Sequence, residues 1–411
     1  MIDLAPETLA LHGGGFRADP TSGATVPPIH FTTSYQFRSA EHARRLFALE
    51  EIGYTYTRTV NPTREILERR LVALEGGTNA LAVSSGTAAT LLALLALAGR
   101  GDNLVIAASS ISAAPVSALS RYGLALRVVA PDDPASFVRA TDSRTRAWFA
   151  PSVDLATLEP FPIAAVAAQA RVVGLPLIID NSNTPLRIRP GAEGAAVVVY
   201  DAATFLGGHA ISEGGILIDT GRFNWAAAGE RLPSLNQPNP SYHGAVWSEV
   251  VQPWGASPYI ARARGDLLRD LGVAISPMAV FHLLQGLETL PLRLRTQTAQ
   301  AAQIVAALSG HPYLTELRAG AGALVRLDLP ESEAVERFLS RLTLVNRSNN
   351  GWGSVRSTAR PAPAQNQRVL ISVGIEHPED IIADLAQALT FAGLPPGPPG
   401  GGGGGGPPAP A

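Results

Sequence analysis

Two residue types are missing from this sequence of 411 residues, and each absence excludes a class of chemistry. There is no cysteine, so disulfides, thiolate nucleophiles and cysteine-ligated metal or iron–sulfur centres are excluded. There is no lysine either, because all 32 residues counted as Lys or Arg are arginines. Arginine stays protonated and cannot replace a neutralisable primary amine. Schiff-base chemistry on a lysine side chain and a Walker-type phosphate loop are therefore excluded.

An excess of one charge and long apolar segments are also absent. The formal net charge of −2 gives no electrostatic footprint for nucleic acid or an anionic membrane. The longest apolar run, 88–99, is too short to span a bilayer and predicts a buried helix. Residues 1–15 lack the basic and apolar regions of a signal peptide, so we expect a cytoplasmic protein.

From about Asn61 onwards the pattern alternates between helices and short apolar strands. Apolar side chains on both faces of the strands favour a mostly parallel sheet, whose ligands bind at the carboxyl ends of the strands. The main strand candidates are 80–83, 103–107, 125–129, 147–150, 175–179 and 195–200. Helices are predicted at 64–75, 87–98 and 163–173, and over 259–308 with an interruption at Ser276-Pro277.

The length predicts two domains, or one large α/β domain with a smaller cap. We assign 1–55 to an extended N-terminal arm, 56–257 to a large α/β domain and 258–394 to a small α+β C-terminal domain. Residues 395–411 contain only Pro, Gly and Ala, and this tail is expected to be disordered because it cannot bury a core.

Eight segments together resemble the cystathionine γ-synthase family of pyridoxal-phosphate (PLP) enzymes of Cys/Met metabolism, nearest to its O-acetylhomoserine sulfhydrylase branch. They are ETLALHGG (7–14), YTRTVNPT (56–63), LERRLVALEGG (67–77), PLIIDN (176–181), FLGGH (205–209), PNPSYHG (238–244), LLQGLETLPLR (283–293) and LISVGIEHPEDIIADL (370–385). The resemblance implies fold type I, with a seven-stranded, mostly parallel sheet and a smaller C-terminal domain. It also implies dimers or tetramers whose active sites are shared between subunits.

Several cofactor-binding positions of the family are retained. By resemblance, Asp180 would pair with the pyridine nitrogen, and Ser85-Gly86-Thr87 would hold the phosphate at a helix N-terminus. Tyr56 and Arg58 match the pair that reaches the phosphate of the neighbouring subunit. Without the resemblance, Asp180 would be interpreted as a turn cap and Ser85-Gly86-Thr87 as a plain strand-to-helix turn. Tyr56 would be interpreted as a residue at the edge of the core, and Arg58 as a surface residue.

Other positions depart from the family. Thr204 stands where the family has its Schiff-base lysine, and Asp201 and Ala203 replace hydroxyl residues that would hold the phosphate. A phosphate carries roughly −1.5 to −2 charges. Like charges about 4 Å apart cost about 4 kcal/mol per unit pair at an effective dielectric constant near 20, so Asp201 opposes phosphate binding.

The substrate side of the site is changed as well. The family's Asn-Pro becomes Leu155-Ala156, and the arginine that grips the substrate carboxylate becomes Leu370. Arg368 lies two residues earlier on the same strand face and is a candidate substitute. The ring-stacking tyrosine falls near Ile111 or Ser112, and neither can stack on a ring. We therefore expect a chain that forms no internal aldimine, with PLP bound noncovalently or absent.

Four functional hypotheses follow. The first is a non-catalytic or regulatory subunit, in a homo-oligomer or in a hetero-oligomer with an active family member. The second is an enzyme with a repurposed pocket, in which Asp201, Asp180, His209 and Arg368 perform acid–base work on an amino-acid-like substrate. His209 and His243 are otherwise expected to be hydrogen-bonded core residues. The third is noncovalent PLP catalysis of the sulfhydrylase, γ-replacement or γ-lyase type, and the fourth is a structural module tethered by the tail. No metal site, nucleic-acid partner or membrane partner is expected.

Overall fold

A computed structural model of the chain describes residues 4–110, 114–347, 351–362 and 365–393. The predicted disordered tail, 395–411, and the positions Ile111 and Ser112 lie outside the described residues. Among the described helices, none is both long enough and apolar enough to cross a membrane.

The larger sheet has seven strands, in the order β1-β7-β6-β5-β4-β2-β3. Strands β2 to β6 pair in parallel, and β7 is antiparallel to both of its neighbours, β1 and β6. The prediction of a mostly parallel seven-stranded sheet is thus confirmed. The strands are β1 (Asn79–Val83), β2 (Asn103–Ala107), β3 (Ala125–Val129), β4 (Thr145–Pro151), β5 (Leu177–Asp180), β6 (Val197–Asp201) and β7 (Gly215–Asp219).

Helices cover both faces of this sheet and continue into the C-terminal part. In chain order the α-helices are α1 (Pro6–His12), α2 (Ala40–Phe47), α3 (Pro62–Glu75), α4 (Gly86–Leu95), α5 (Ala114–Ala118), α6 (Pro134–Arg139), α7 (Ile163–Val172), α8 (Pro233–Asn236), α9 (Trp247–Val250), α10 (Pro258–Arg262), α11 (Arg269–Leu271), α12 (Pro277–Glu288), α13 (Leu290–Leu308), α14 (Ser332–Arg341) and α15 (Pro378–Ala392). Two π-helical segments occur at Ala202–Leu206 and Ala263–Leu268.

The side chains of β1 point alternately to the two faces of the sheet, and each face packs against a separate apolar cluster. Leu81 and Val83 pack into the apolar cluster that contains α4, whereas Ala80 and Ala82 pack into the cluster that contains α3. Successive side chains of a strand point to opposite faces, so one short strand serves both cores. Helix α3 itself begins at the capping residue Asn61.

The smaller sheet is antiparallel, in the order β10-β11-β9-β8, and packs against α13 to α15. Its strands are β8 (Glu316–Ala319), β9 (Leu324–Asp328), β10 (Thr358–Ala362) and β11 (Gln365–Ser372). This agrees with the expected α+β character of the C-terminal part, while the boundaries drawn at 55, 257 and 394 stay predictions.

The extended character expected of residues 1–55 is wrong in two places, because this segment contains the helices α1 and α2. Pro6 occupies the first turn of α1, where a missing N–H costs nothing. The Oγ of Ser39 caps α2 by accepting a hydrogen bond from the backbone N–H of His42, at 3.0 Å. The break expected near residue 276 is confirmed: α11 ends at Gly272 in the left-handed region (φ 71°), and α12 begins at Pro277.

Candidate functional site

Two aspartates lie at the carboxyl ends of neighbouring parallel strands and are joined through one serine. Asp180 ends β5 and Asp201 ends β6. The Ser182 hydroxyl donates to Oδ1 of Asp180, and its oxygen accepts the backbone N–H of Asp201 at 2.7 Å. The backbone N–H of Ser182 also donates to Oδ1 of Asp180, at 3.0 Å. Sequence reasoning missed Ser182, although an Asp-x-Ser sequence after a strand is typical of an Asx turn.

The strand register brings Asp201 onto the first turn of α4. Val83, Gly215 and Asp201 stand side by side on β1, β7 and β6. Ser85 then caps α4, its Oγ accepting the backbone N–H of Ala88 at 3.1 Å. A Cβ added to Gly86 would stand 2.5 Å from Oδ2 of Asp201, so the carboxylate lies directly against the start of this helix. Thr87 is exposed on the same turn.

Both aspartates resist ionisation. Burial raises the pKa of Asp180 against the lowering effect of its two hydrogen bonds from Ser182. Asp201 keeps contact with solvent, yet the protein around it raises its pKa, and the charges of Asp180 and Glu213 raise it further. The carboxyl ends of β5 and β6 therefore bring together two carboxyl groups whose ionisation is disfavoured.

Thr204 lies in the π-helical turn that follows Asp201 and is buried. Its Oγ1 would stand 3.0 Å from a Cβ on Gly351, so it packs beneath that segment. The turn is fixed by Arg293, whose guanidinium donates to the carbonyl oxygens of Phe205 (2.9 Å) and Leu206 (3.1 Å). A threonine hydroxyl in this place offers a hydrogen bond but no amine that could condense with an aldehyde.

The region where the resemblance places substrate-carboxylate recognition is apolar. Leu370 is fully buried, and it shares an apolar cluster with Leu155, Leu158 and Trp352. Removing a carboxylate-binding arginine and asparagine together has thus left a hydrophobic contact rather than unpaired polar groups.

Arg368, the candidate substitute, is held elsewhere. Its Nε and Nη2 both donate to the carboxylate of Asp328, at 2.9 Å each, and Nη1 donates to the carbonyl of Ala156. Its hydrogen bonds to Asp328 raise the pKa of Arg368. The guanidinium thus serves to join β11 to β9 and to the loop at residue 156.

Tyr56 and Arg58 lie together on the N-terminal segment, away from the two aspartates. The Arg58 guanidinium stands 5.3 Å from the centre of the Tyr56 ring, and that ring is 42% exposed. Among the hydrogen bonds, ion pairs and ring contacts of the described residues, none joins either side chain to Asp180 or Asp201. The retained positions therefore form two groups: Ser85, Gly86, Thr87 and Asp180 at the strand ends, and the pair of an exposed Tyr56 and a partly buried Arg58.

The two histidines differ from expectation. His209 and His243 are both exposed, so placing them in the core was wrong. Each lies in a glycine-containing loop, and His243 itself adopts a left-handed conformation (φ 54°), which fits a turn at the surface. No cluster of three or more His, Asp or Glu side chains suited to a metal ion occurs within the described ranges.

The fold and the site together define the class. A solved structure of an O-acetylhomoserine (thiol)-lyase from Campylobacter jejuni, with pyridoxyl-lysine monophosphate, superposes with a TM-score of 0.87 at 28% identity, covering 94% of this chain and all of that one. The architecture is that of PLP-dependent fold type I.

Sequence relatives narrow the assignment. The profile of the Cys/Met metabolism PLP-dependent enzymes matches residues 7–362. The O-acetyl-L-homoserine sulfhydrylase of Leptospira meyeri is 38% identical, over 94% of this chain and 97% of that protein. The corresponding enzyme of Thermus thermophilus is 36% identical, over 93% and 99%. The chain belongs to the Cys/Met metabolism PLP-dependent enzyme family, and the resemblance inferred from its motifs is confirmed.

The residues present do not fit the family's cofactor in full. Asp180 offers a buried carboxylate of the kind that a pyridine nitrogen requires. No lysine side chain exists to hold the aldehyde, and the carboxylate of Asp201 lies where the helix start would receive a phosphate. The chemistry of this chain is therefore considered below without any step through PLP.

Proposed function

We propose that this chain is a non-catalytic subunit that associates with a lysine-containing member of its own family and contributes Tyr56 and Arg58 to that partner's site. One observation carries the proposal: the chain keeps the exposed Tyr56 and the neighbouring Arg58, which would serve a neighbouring subunit, while Thr204 replaces the lysine that would serve the chain itself. The partner's activity would be that of the relatives, an O-acetylhomoserine sulfhydrylase.

The interior changes support this division. The acidic Asp201 and the apolar Leu155 and Leu370 alter the phosphate side and the carboxylate side of the pocket at once. A single loss at the lysine position would leave the remaining recognition groups in place. Here the losses affect the phosphate side and the carboxylate side of the chain's own pocket and spare Tyr56 and Arg58.

Exposed apolar side chains of the N-terminal segment support an association surface. Phe31 is 76% exposed and Ile52 68% exposed, and both lie on the segment that carries Tyr56. Burial of such side chains against another protein would remove apolar surface from water. Burying this segment against another subunit would also fix the position of Tyr56 and Arg58.

Co-expression with the most similar lysine-containing relative from the same genome tests the proposal. With different tags on the two chains, we expect a mixed oligomer in which sulfhydrylase activity falls when Tyr56→Phe or Arg58→Met is introduced into this chain. Arg171→Met, an exposed arginine on α7, is the matched control and leaves activity unchanged. Recovery of homo-oligomers alone from the mixture contradicts the proposal.

A second candidate rests on the Asp180–Ser182–Asp201 unit. Two joined carboxyl groups whose pKa values are raised by burial are candidates for acid–base chemistry. In that case the purified chain alone releases acetate from O-acetylhomoserine, and Asp180→Asn abolishes the release. Absence of turnover by the chain alone, with and without PLP, together with activity of the mixed oligomer, favours the first candidate.

A further inference from the structure

At the start of α4, the carboxyl group of Asp201 lies against the backbone of Gly86. The first N–H groups of an α-helix have no intrahelical partner, and the helix dipole favours negative charge there. Ser85 satisfies the N–H of Ala88, while the turn at Gly86 faces the carboxylate of Asp201. Helix α4 has ten residues, so its dipole is developed.

Gly86 has one close neighbour, the side chain of Asp201. The three atoms nearest to a Cβ built on Gly86 are Oδ2, Cβ and Cγ of Asp201, at 2.5, 2.7 and 2.9 Å. Only glycine leaves room for a neighbour at these distances. On the intervening strand, Gly215 also lacks a side chain, so nothing stands between β6 and the start of α4.

Asp201 is held in this position from three directions. Its backbone N–H donates to Ser182, at 2.7 Å, and its Oδ1 accepts the backbone N–H of Ala203, at 2.9 Å. Its own backbone continues β6, paired with Gly215. Rotation of the carboxylate away from Gly86 would release the cap on the π-helical turn, so the side chain is not free to leave.

We propose that the carboxyl group of Asp201 occupies the space at the start of α4 that a phosphate would need, and that it thereby closes the pocket to phosphorylated ligands. The space that a phosphate would need beside Gly86 is then filled by a side chain of the protein. This inference does not depend on the proposed partner, since it concerns the chain alone.

Binding of phosphate compounds tests the occupancy. The probes are inorganic phosphate and 4-deoxypyridoxine 5′-phosphate, which has no aldehyde and so needs no lysine. We expect no saturable binding to the wild type by calorimetry, and at least tenfold tighter binding of both probes to Asp201→Ser. Serine can still cap the π-helical turn, so this variant is expected to fold.

The matched control is Glu213→Gln. Glu213 is exposed and its charge acts on Asp201, but it does not touch Gly86. Removing it changes the local charge by the same amount without vacating the helix start, so phosphate affinity should stay within twofold of wild type. An equal gain in Glu213→Gln would overturn the proposal, because general repulsion would then explain the exclusion. Phosphate binding by the wild type as tight as by Asp201→Ser would overturn it as well.

A double-mutant cycle tests the contact independently of any ligand. Gly86→Ala should lower the urea midpoint of the wild type, because the new Cβ meets Asp201, and should change it little in the Asp201→Gly background. The same loss in both backgrounds would show that the two residues are not in contact and would refute the occupancy.

Discussion

Replacing Glu75 by glutamine should make the protein's stability less dependent on pH. Glu75 ends α3 and is buried, and its Oε2 accepts the Tyr200 hydroxyl at 2.6 Å. Burial raises the pKa of this carboxyl from 4.5 to about 7, against the lowering effects of Tyr200, Arg189 and the backbone N–H of Gly191. Because Tyr200 immediately precedes Asp201 on β6, the same carboxylate supports the strand end that carries the site.

The sign and size follow from linkage. A carboxyl with a raised pKa in the folded state binds its proton more tightly there than in the unfolded chain. Its contribution to stability is therefore complete below pH 4.5 and is lost as the pH rises to about 7. Over that range the free energy of unfolding of the wild type, relative to Glu75→Gln, should fall by about 1.4 kcal/mol per pH unit, to a total of about 3 kcal/mol.

Urea unfolding of the two proteins from about pH 4 to about pH 8 measures this difference, because that range includes both the ordinary pKa of Glu75 and its raised pKa of about 7. Taking the difference cancels the other titrating groups, and Glu230→Gln, on the surface, controls for the change of a carboxylate to an amide. A difference that is constant over this range, or that grows in favour of the wild type at high pH, would refute the reasoning.

Three further predictions concern the site and its supports. Thr204→Lys alone should give no visible aldimine band on titration with PLP, whereas Thr204→Lys combined with Asp201→Ser should give one; a band in the single variant would contradict the blocking role of Asp201. Leu370→Arg should lower the free energy of unfolding by about 3 kcal/mol or more, measured by urea unfolding, because it places an unpaired charge in an apolar cluster. Burial opposes ionisation of Asp384, but hydrogen bonds from three backbone N–H groups and a threonine hydroxyl outweigh it and lower its pKa, so its contribution is present at neutral pH and lost on acidification. Asp384→Asn should therefore cost about 1–3 kcal/mol at pH 7 and less at low pH, and an equal cost at both would contradict this.

The fold was largely predictable because local patterns and motifs agreed with each other. The strands at 103–107 and 125–129 have the predicted bounds, since each is a short apolar run between turn residues. Strand β7 is an apolar run that begins at Gly215, but the sequence analysis did not predict it as a strand. Its place between β1 and β6 depends on a long-range antiparallel pairing, which no local period encodes.

The candidate site was predictable in its residue types and not in its contacts. That Thr204 carries no amine follows from the sequence alone. That Asp201 lies on Gly86 follows only from the register of three strands, and that Arg368 is bound by Asp328 follows only from the pairing of β11 with β9. In each case the contacting residue is distant in sequence. The contact therefore depends on strand pairing, which the local sequence does not reveal.

The replacements at Asp201 and Leu370 have one physical effect in common: side chains of the protein take the places of groups that contact a ligand in the family. A pocket that loses its ligand leaves an unneutralised helix start and unpaired polar groups, and each is destabilising when buried. Here the helix start has a carboxylate, and the position of a substrate-binding arginine has a leucine packed in an apolar cluster. Both changes turn a ligand-dependent feature into one satisfied by the chain itself. Restoring a lysine at position 204 alone would therefore leave the space beside Gly86 filled and the position of the substrate-binding arginine apolar.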